Sequence, residues 1–264
     1  MVEGARGHVI FDGPGSGRRN MAVDEAILDA LAATPADRPV AVLRFYQWEP
    51  ATLSLGYFQH LAERDSHVAS RACPLVRRPS GGGAILHDRE LTYSLTVSAG
   101  FPQSRPSTQL YHAMHRALVR TLADVGVEAH LWTPPSSPPR SSAQDTSEGK
   151  AGEPFLCFQR RTDGDVIVGE YKIAGSAQRR RLGAVLQHGS LLLERSPHAP
   201  ELPGIAELTG VRLAPNDFAA QWALTLGGEL GCVFSPASLE PEVIAAAEVL
   251  AESKFASAAW NARR

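Results

Sequence analysis

The stretch Arg77-Arg78-Pro79-Ser80-Gly81-Gly82-Gly83-Ala84-Ile85-Leu86-His87-Asp88-Arg89-Glu90-Leu91-Thr92-Tyr93-Ser94-Leu95-Thr96 organises the chain. Short apolar runs flank its glycines, Leu75-Val76 before and Ala84-Ile85-Leu86 after, and Leu91 to Val97 alternates like a strand. Three consecutive glycines between strands are costly in backbone entropy. They belong where backbone must pass close to something or where φ turns positive. Arg77 and Arg78 stand before them and His87 after. These residues fit a backbone cradle with cations at its mouth, able to seat an acyl carbonyl, a carboxylate or a phosphate. They fit equally a glycine-rich hairpin with solvated arginines.

Outside this stretch the composition is that of an ordinary globular chain: 264 residues, 44% hydrophobic and 20% charged, enough for one large domain. The formal net charge of −2 argues against a global field for nucleic acid or a membrane. No apolar run is long enough to span a bilayer, and residues 1–16 lack the apolar core of a secretory signal. The cysteines are Cys73, Cys157 and Cys232. So sparse and odd a set suits a reducing, cytoplasmic compartment rather than a disulfide framework. With no Cys-x-x-Cys or His-x-x-x-His pair, no metal site is expected.

Periodicity places the elements. Asn20 is set to cap a helix with Asp24 and Glu25 in its first turn and Val23, Ile27 and Leu31 on one face. Val40–Tyr46 and Thr52–Tyr57 read as strands, and Leu61–Arg71 as a short helix. Leu110, Met114, Leu118 and Leu122 mark the clearest helix, starting at Pro106-Ser107 and ending at Val125-Gly126. The segment at about 133–154 has almost no large apolar residue and reads as a mobile insertion. A hairpin turning at Gly169-Glu170 joins 165–168 to 171–178, a third strand runs over 184–194, and two helical patterns occupy 215–227 and 238–255. Strands joined by short turns outnumber crossover helices. The fold class is therefore α+β, a mixed, largely antiparallel sheet flanked by helices.

Three ordered blocks carry a family resemblance. Arg-Arg-x-Ser-Gly-Gly-Gly-Ala-x-x-His followed by Leu-Thr-Tyr-Ser resembles the signature of the lipoate–protein ligase A, octanoyltransferase and biotin ligase superfamily. Lys172-Ile173-Ala174-Gly175-Ser176-Ala177-Gln178-x-Arg180 is similar to its lysine motif, and Leu186-Gln187-His188-Gly189-Ser190-Leu191-Leu192-Leu193 follows at the expected spacing. The resemblance covers about 20–260 and implies one catalytic domain over 1–264, with a central mixed sheet and helices packed outside.

Cys157 decides between branches. It sits in Glu153-Pro154-Phe155-Leu156-Cys157-Phe158, shortly before the lysine strand. A cysteine-phenylalanine pair at this place is the acyl carrier of the cysteine-dependent octanoyltransferases of the Gram-positive type, which this sequence resembles. The other octanoyltransferase branch has its cysteine after the strand that ends here near Leu193, where this sequence has none. By pattern alone Lys172 fits either an exposed strand face or a partly desolvated ammonium. The resemblance makes it the residue that contacts the acyl carbonyl, and a cation beside Cys157 would favour its thiolate. Cys73 and Cys232 fit buried free cysteines.

The resemblance also implies a substrate-binding set: Arg77, Ser80, Gly81, Gly82, Gly83, His87, Gly175, Ser176, His188 and Gly189. His87 and His188 can carry protons or be structural. The acyl slot would bury about six methylenes at about 0.8 kcal/mol each. Leu86, Tyr93, Ile173 and Leu186 could line it or be ordinary core. Arg179-Arg180-Arg181 is either a solvated strand end or a docking site for acidic domains.

The implied activity moves octanoyl from acyl carrier protein through Cys157 to a lysine of a lipoyl domain or of glycine cleavage H protein. No cofactor is expected, no nucleic acid and no membrane, and the chain is expected to be monomeric. ATP and magnesium enter only if the chain is instead an ATP-dependent lipoate–protein ligase. A lipoyl-domain amidotransferase and a non-catalytic acyl- or biotin-binding module are the other readings. The Gly-Arg-Gly-Arg-x-Gly loop of biotin ligases is absent from the sequence.

Overall fold

The computed structural model describes residues 5–134 and 154–264; between its edges, the expected insertion at about 133–154 lies outside the described residues. The chain opens with β1 (Arg6–Phe11), α1 (Gly17–Ala32), β2 (Val40–Tyr46) and β3 (Thr52–Leu55). Next come β4 (Leu75–Arg77), β5 (Ile85–His87), β6 (Glu90–Val97), α2 (Ser107–Asp124) and β7 (His130–Leu131). After the gap follow β8 (Val166–Val168), β9 (Tyr171–Arg181), β10 (Ala184–Leu192), α3 (Ile205–Thr209) and α4 (Pro215–Leu230). The last elements are β11 (Phe234–Pro236), α5 (Pro241–Leu250) and α6 (Ala258–Asn261).

Eight strands form one sheet in the order β11-β1-β2-β6-β10-β9-β8-β7. The pairs β11-β1 and β1-β2 are parallel and the rest antiparallel. The apolar flanks of the glycine stretch form a second sheet, β4-β3-β5. The mixed, largely antiparallel sheet between helices is the expected one.

Near the middle of the large sheet, β6 is buried at all eight residues. Its alternation does not separate core from solvent. Leu91, Tyr93, Leu95 and Val97 join Leu110 and Met114 of α2 and Phe218 and Trp222 of α4 in the main core. The other face presents Thr92, Ser94 and Thr96, with Arg44 of β2 and His188 of β10 both opposite Ser94. This polar face is covered by α1. Asp24 of that helix is fully buried and accepts from Arg44 Nη1 at 2.9 Å, Tyr46 OH at 2.8 Å, Ser94 Oγ at 2.8 Å and His188 Nδ1 at 3.3 Å. Burial pushes the Asp24 carboxyl up, but the His188 hydrogen bond and the Arg44 charge outweigh it and hold the carboxyl below its usual range. Arg44 directs its other donors at Asp12 and at the Asn20 side chain.

This layer explains where the sequence reading of α1 differs. Ser16 is the N-cap, its hydroxyl accepting from Arg19 N. Asn20, the expected cap, lies inside the helix, where its amide donates to Gly15 O and Gln47 O. Asp24 and Glu25 therefore fall beyond the first turn: Asp24 faces the sheet, and Glu25 pairs with Lys254 at 2.6 Å. Leu61–Arg71 is two 3-10 turns, Leu61–Ser66 and Val68–Ser70. The short strands β1 and β11 are missing from the sequence expectations, although Asp12-Gly13-Pro14-Gly15 closes β1 with a turn signal.

Arg44→Leu removes the guanidinium charge from the buried Asp24 carboxylate and leaves it only the Tyr46, Ser94 and His188 donors. The expected loss is about 3–5 kcal/mol, read as a lowered urea midpoint. Adding Asp24→Asn should return part of it, because the stranded charge is then gone.

Candidate active site

A cleft opens on the α1 side of the sheet. Its walls are Met21 of α1, Tyr46 and Trp48, Arg78 with Gly81 and Gly82, Cys157 and Phe158, Lys172 and Gly175 of β9, and His188 to Ser190 of β10. Of the expected residues, the cleft gathers Cys157, Lys172, Gly81, Gly82, His87, Gly175, Ser176, His188 and Gly189. Arg77, Ser80 and Gly83 are not in its wall.

Lys172 owes its place to a register slip. Ile167 pairs with Lys172 but Val166 pairs with Ala174, so β9 carries one extra residue there. Such a bulge re-aims side chains. Residues three apart in a regular strand point to opposite faces, yet the Lys172 side chain lies over Gly175. A Cβ at Gly175 would sit 2.5 Å from Lys172 Cε and 2.7 Å from Nζ, so any side chain there must displace the ammonium. The lysine is not the exposed strand face; it is buried, with Nζ 2.8 Å from Asp165 Oδ2. Asp165 also accepts from Tyr111 OH at 2.9 Å and from Thr162 N at 2.6 Å. Asp165 was not singled out in the sequence; its position at the start of the β8–β9 hairpin was the available signal.

Cys157 is stitched to the glycine stretch. Its N–H donates to Ala84 O at 2.7 Å, and Ala84 N–H donates to Phe155 O at 3.0 Å. This backbone pairing packs Gly83 against Cys157: a Cβ at Gly83 would meet Cys157 N and Cα at 3.1 Å. The thiol Sγ then lies 4.0 Å from Lys172 Nζ. Gly82 turns at φ +91°, in the left-handed region that suits glycine. The other two thiols are buried away from the cleft, and burial pushes Cys73 up and Cys232 to about 11.

The two motif arginines have different jobs. Arg77, expected at the mouth, is buried and donates to the carbonyls of Gly56, Gln59 and Asn261. Arg78 is the cation that reaches the cleft. It donates to Ser54 Oγ at 2.5 Å and to Gly83 O at 2.8 Å, and forms no ion pair with a carboxylate among the described residues. Burial lowers it to about 10, so it keeps its charge at neutral pH.

Each histidine around the cleft is tied to a serine. His188 Nε2 meets Ser80 Oγ at 2.5 Å while Nδ1 faces Asp24. His87 lies between Glu90 Oε1 at 2.5 Å and Ser54 Oγ at 2.6 Å, stacked on Trp48 with centroids 3.8 Å apart. Burial lowers His87, so its Nδ1–H donates to the carboxylate and Nε2 accepts from Ser54. His115 of α2, missed in the sequence, is lowered to about 4 by burial. Its Nδ1–H donates to Gly164 O at 2.6 Å, and its Nε2 accepts from Ser176 Oγ at 2.5 Å. The hydroxyl of Ser176, one of the expected substrate-binding residues, is spent on this bond.

The residues expected to line an acyl slot do not line the cleft. Leu86, Tyr93, Ile173 and Leu186 are all core. Met21, Tyr46, Trp48, Ile85 and Phe158 supply the apolar wall of the cleft instead. Among the described residues no cluster of three His, Cys, Asp or Glu is arranged to hold a metal, and no helix is long and apolar enough to cross a membrane.

The lipoyl protein ligase A/B catalytic domain profile matches residues 16–199. The chain belongs to this family. It is 40% identical over 194 residues to an octanoyltransferase LipM of Kyrpidia tusciae, covering 72% of this chain and 67% of that one. It is 31% identical over 282 residues to the octanoyltransferase LipM of Bacillus subtilis, covering 97% of each. Among solved structures it resembles a lipoate-protein ligase A bound with ATP, with TM-score 0.72, 23% identity and 97% and 98% of the chains covered. A bi-partite lipoate protein ligase from Thermoplasma acidophilum gives TM-score 0.72 at 22% identity over 98% and 96%. At that identity the structures speak for the family fold alone.

Two outcomes test this geometry. Gly175→Ala should displace the Lys172 ammonium from Asp165, slowing reaction of the Cys157 thiol with an acyl thioester about a hundredfold and lowering the urea midpoint, because a buried ion pair is disturbed. His115 takes a proton in the unfolded chain below its ordinary value of 6.5 but in the fold only below about 4. Stability should therefore fall as pH drops through that window, by on the order of 3 kcal/mol from this residue. His115→Asn should flatten that part of a pH series of urea midpoints.

Proposed function

We propose that this chain is a protein octanoyltransferase that carries the acyl group on Cys157. The observation behind the reading is the Cys157 Sγ placed 4.0 Å from a Lys172 ammonium that Asp165 holds fixed, inside a cleft with an apolar wall. The relatives named octanoyltransferase support the acyl class.

In the first step the Cys157 thiolate attacks the carbonyl of an octanoyl thioester on acyl carrier protein. Lys172 and Arg78 place two positive charges beside the thiolate and the oxyanion that forms from the carbonyl. Collapse breaks the carbonyl–sulfur bond to the carrier, and the carrier thiol leaves with the proton that Cys157 gave up. In the second step a lysine amine of a lipoyl domain, or of glycine cleavage H protein, attacks the acyl-cysteine. The amide forms, and the amine proton returns to the cysteine sulfur. One thioester is exchanged for another at nearly equal energy, so neither ATP nor magnesium enters. A covalent intermediate also lets two bulky partners dock in turn.

Mixing with octanoyl-carrier protein should give one octanoyl adduct by intact mass, labile to hydroxylamine and mapping to Cys157. Cys157→Ser should lose both the labile adduct and transfer to a lipoyl domain, while Cys73→Ser and Cys232→Ser keep both. Full transfer by Cys157→Ser, or strict dependence on ATP with free octanoate, would overturn the thiol route. Loading from an octanoylated H protein but not from the carrier would make the enzyme an amidotransferase.

A further inference from the structure

The sequence leaves Arg179-Arg180-Arg181 as either a solvated strand end or a docking run, and the fold breaks the run up. Arg180 donates to Ser104 O at 3.1 Å, and Arg181 pairs with Asp29 at 2.6 Å. Of the three side chains, that of Arg179 alone has neither a carbonyl nor a carboxylate partner among the described residues. Two arginines from the far end of the sequence join it. Arg263 lies 4.1 Å over the Tyr57 ring, Arg264 lies 5.3 Å over Phe58, and Arg179 lies 5.7 Å over Tyr57. Neither Arg263 nor Arg264 forms an ion pair with a described carboxylate, in a chain whose net charge is −2.

This cluster adjoins the cleft. Register puts Gly175, Ala177 and Arg179 on one face of β9, and the first two of these line the cleft. Tyr57 N–H donates to Ser80 O at 2.8 Å, and a Cβ on Gly81 would touch Phe58 at 3.8 Å. Between the aromatic rings and β9 lies a separate depression, walled by Tyr57, Pro79, Arg179, Arg181, Lys254 and Trp260. Its one acid, Glu25, is held by Lys254 at 2.6 Å. Guanidinium groups stacked on rings keep their N–H donors free at the edge and lose little entropy on binding. Phe58, 62% exposed, adds the kind of aromatic anchor that dominates interfaces.

We propose that this cationic-aromatic surface docks the donor: an anionic carrier domain whose acyl thioester hangs on a phosphodiester-linked arm. The inference rests on the transferase reading above. Two features favour the donor over the acceptor. Arg179, which has no carboxylate partner among the described residues, lines a concave seat together with Lys254, and a concave cationic seat suits a phosphodiester rather than a flat acidic face. That seat flanks the loop that carries Gly81 and Gly82, so an arm anchored there points its thioester along the loop toward Cys157. The carrier's remaining negative charge would meet Arg263 and Arg264 on the rim and steer encounter.

The test measures octanoylation of Cys157 by quenched-flow intact mass, from carrier-bound octanoyl and from octanoyl-N-acetylcysteamine, which has neither phosphate nor protein. Arg179→Glu and the pair Arg263→Glu with Arg264→Glu should slow loading from the carrier about tenfold or more and abolish its salt dependence, while loading from the small thioester changes less than about twofold. Arg179→Lys should recover part of the rate. Carrier loading at the wild-type rate in both charge-reversed variants overturns the docking site, as does an equal loss with both donors, which would mean damage to the cleft. A loss confined to hand-off from preloaded Cys157 to a lipoyl domain assigns the surface to the acceptor and overturns the proposal. Wild-type protein that takes octanoyl from the small thioester but never from the carrier overturns the carrier as donor, and this surface with it.

Discussion

The carboxylate of Asp24 is the constraint on which the rest of the structure hangs. It is fully buried, and it draws four donors from three consecutive strands, β2, β6 and β10. Helix α1 therefore sits on the sheet through a polar layer rather than through apolar contact alone. Such a layer is directional: every donor must find its acceptor, so the helix has one register on the sheet. The same layer sets the cleft, since His188 and Tyr46 belong both to the network and to the cleft wall. The packing of α1 and the orientation of the His188 imidazole are one problem with one solution.

Charge is distributed unevenly around the thiol. Lys172 has a carboxylate partner in Asp165, while Arg78 has carbonyls and a serine hydroxyl but no described carboxylate. Asp165 fixes the lysine and takes up part of its field; Arg78 brings an uncancelled charge. Two of the histidines add little to this field. His87 and His115 are kept neutral by burial at any pH near 7, with their protons already committed to acceptors. On the proposed route they orient serines and hold the walls, and the two fixed cations meet the negative charge that moves from sulfur to oxygen and back.

The sequence made the glycine stretch, the lysine strand and the Cys157-Phe158 pair legible because each is local. Glycines, strand alternation and motif spacing are read over a few residues, and the strands and helices they imply are largely where expected. What stayed hidden depends on contact across the chain. The alternation of β6 shows two faces but not that helix α1 buries the polar one. Arg77 and Arg78 are adjacent and look alike; Asn261, 184 residues away, takes the first, and Ser54 takes the second. Lys172 lies over Gly175 only because the strand carries an extra residue, a slip that no period-2 pattern announces. Asp165 and His115 had no motif at all, since each acts through one partner supplied by another element.

The Arg77 position closes this line of reasoning, because it connects the far end of the sequence to the glycine loop. Trp260 Nε1–H donates to Arg77 O at 2.9 Å, Asn261 Oδ1 accepts from Arg77 N–H at 2.8 Å, and Leu61 N–H donates to Arg264 O at 2.8 Å. Strand β4 ends at Arg77 and the loop that holds Ser80, Gly81 and Gly82 begins there, so residues 257–264 brace the loop from outside while Arg78 braces it from inside. Glycines resist no displacement on their own. A loop of three of them keeps a fixed shape only if both flanks are pinned, and here both are pinned by the two halves of one arginine pair. The bracing segment also carries Arg263 and Arg264, so the element that fixes the cradle is the one that displays the cationic surface beside it.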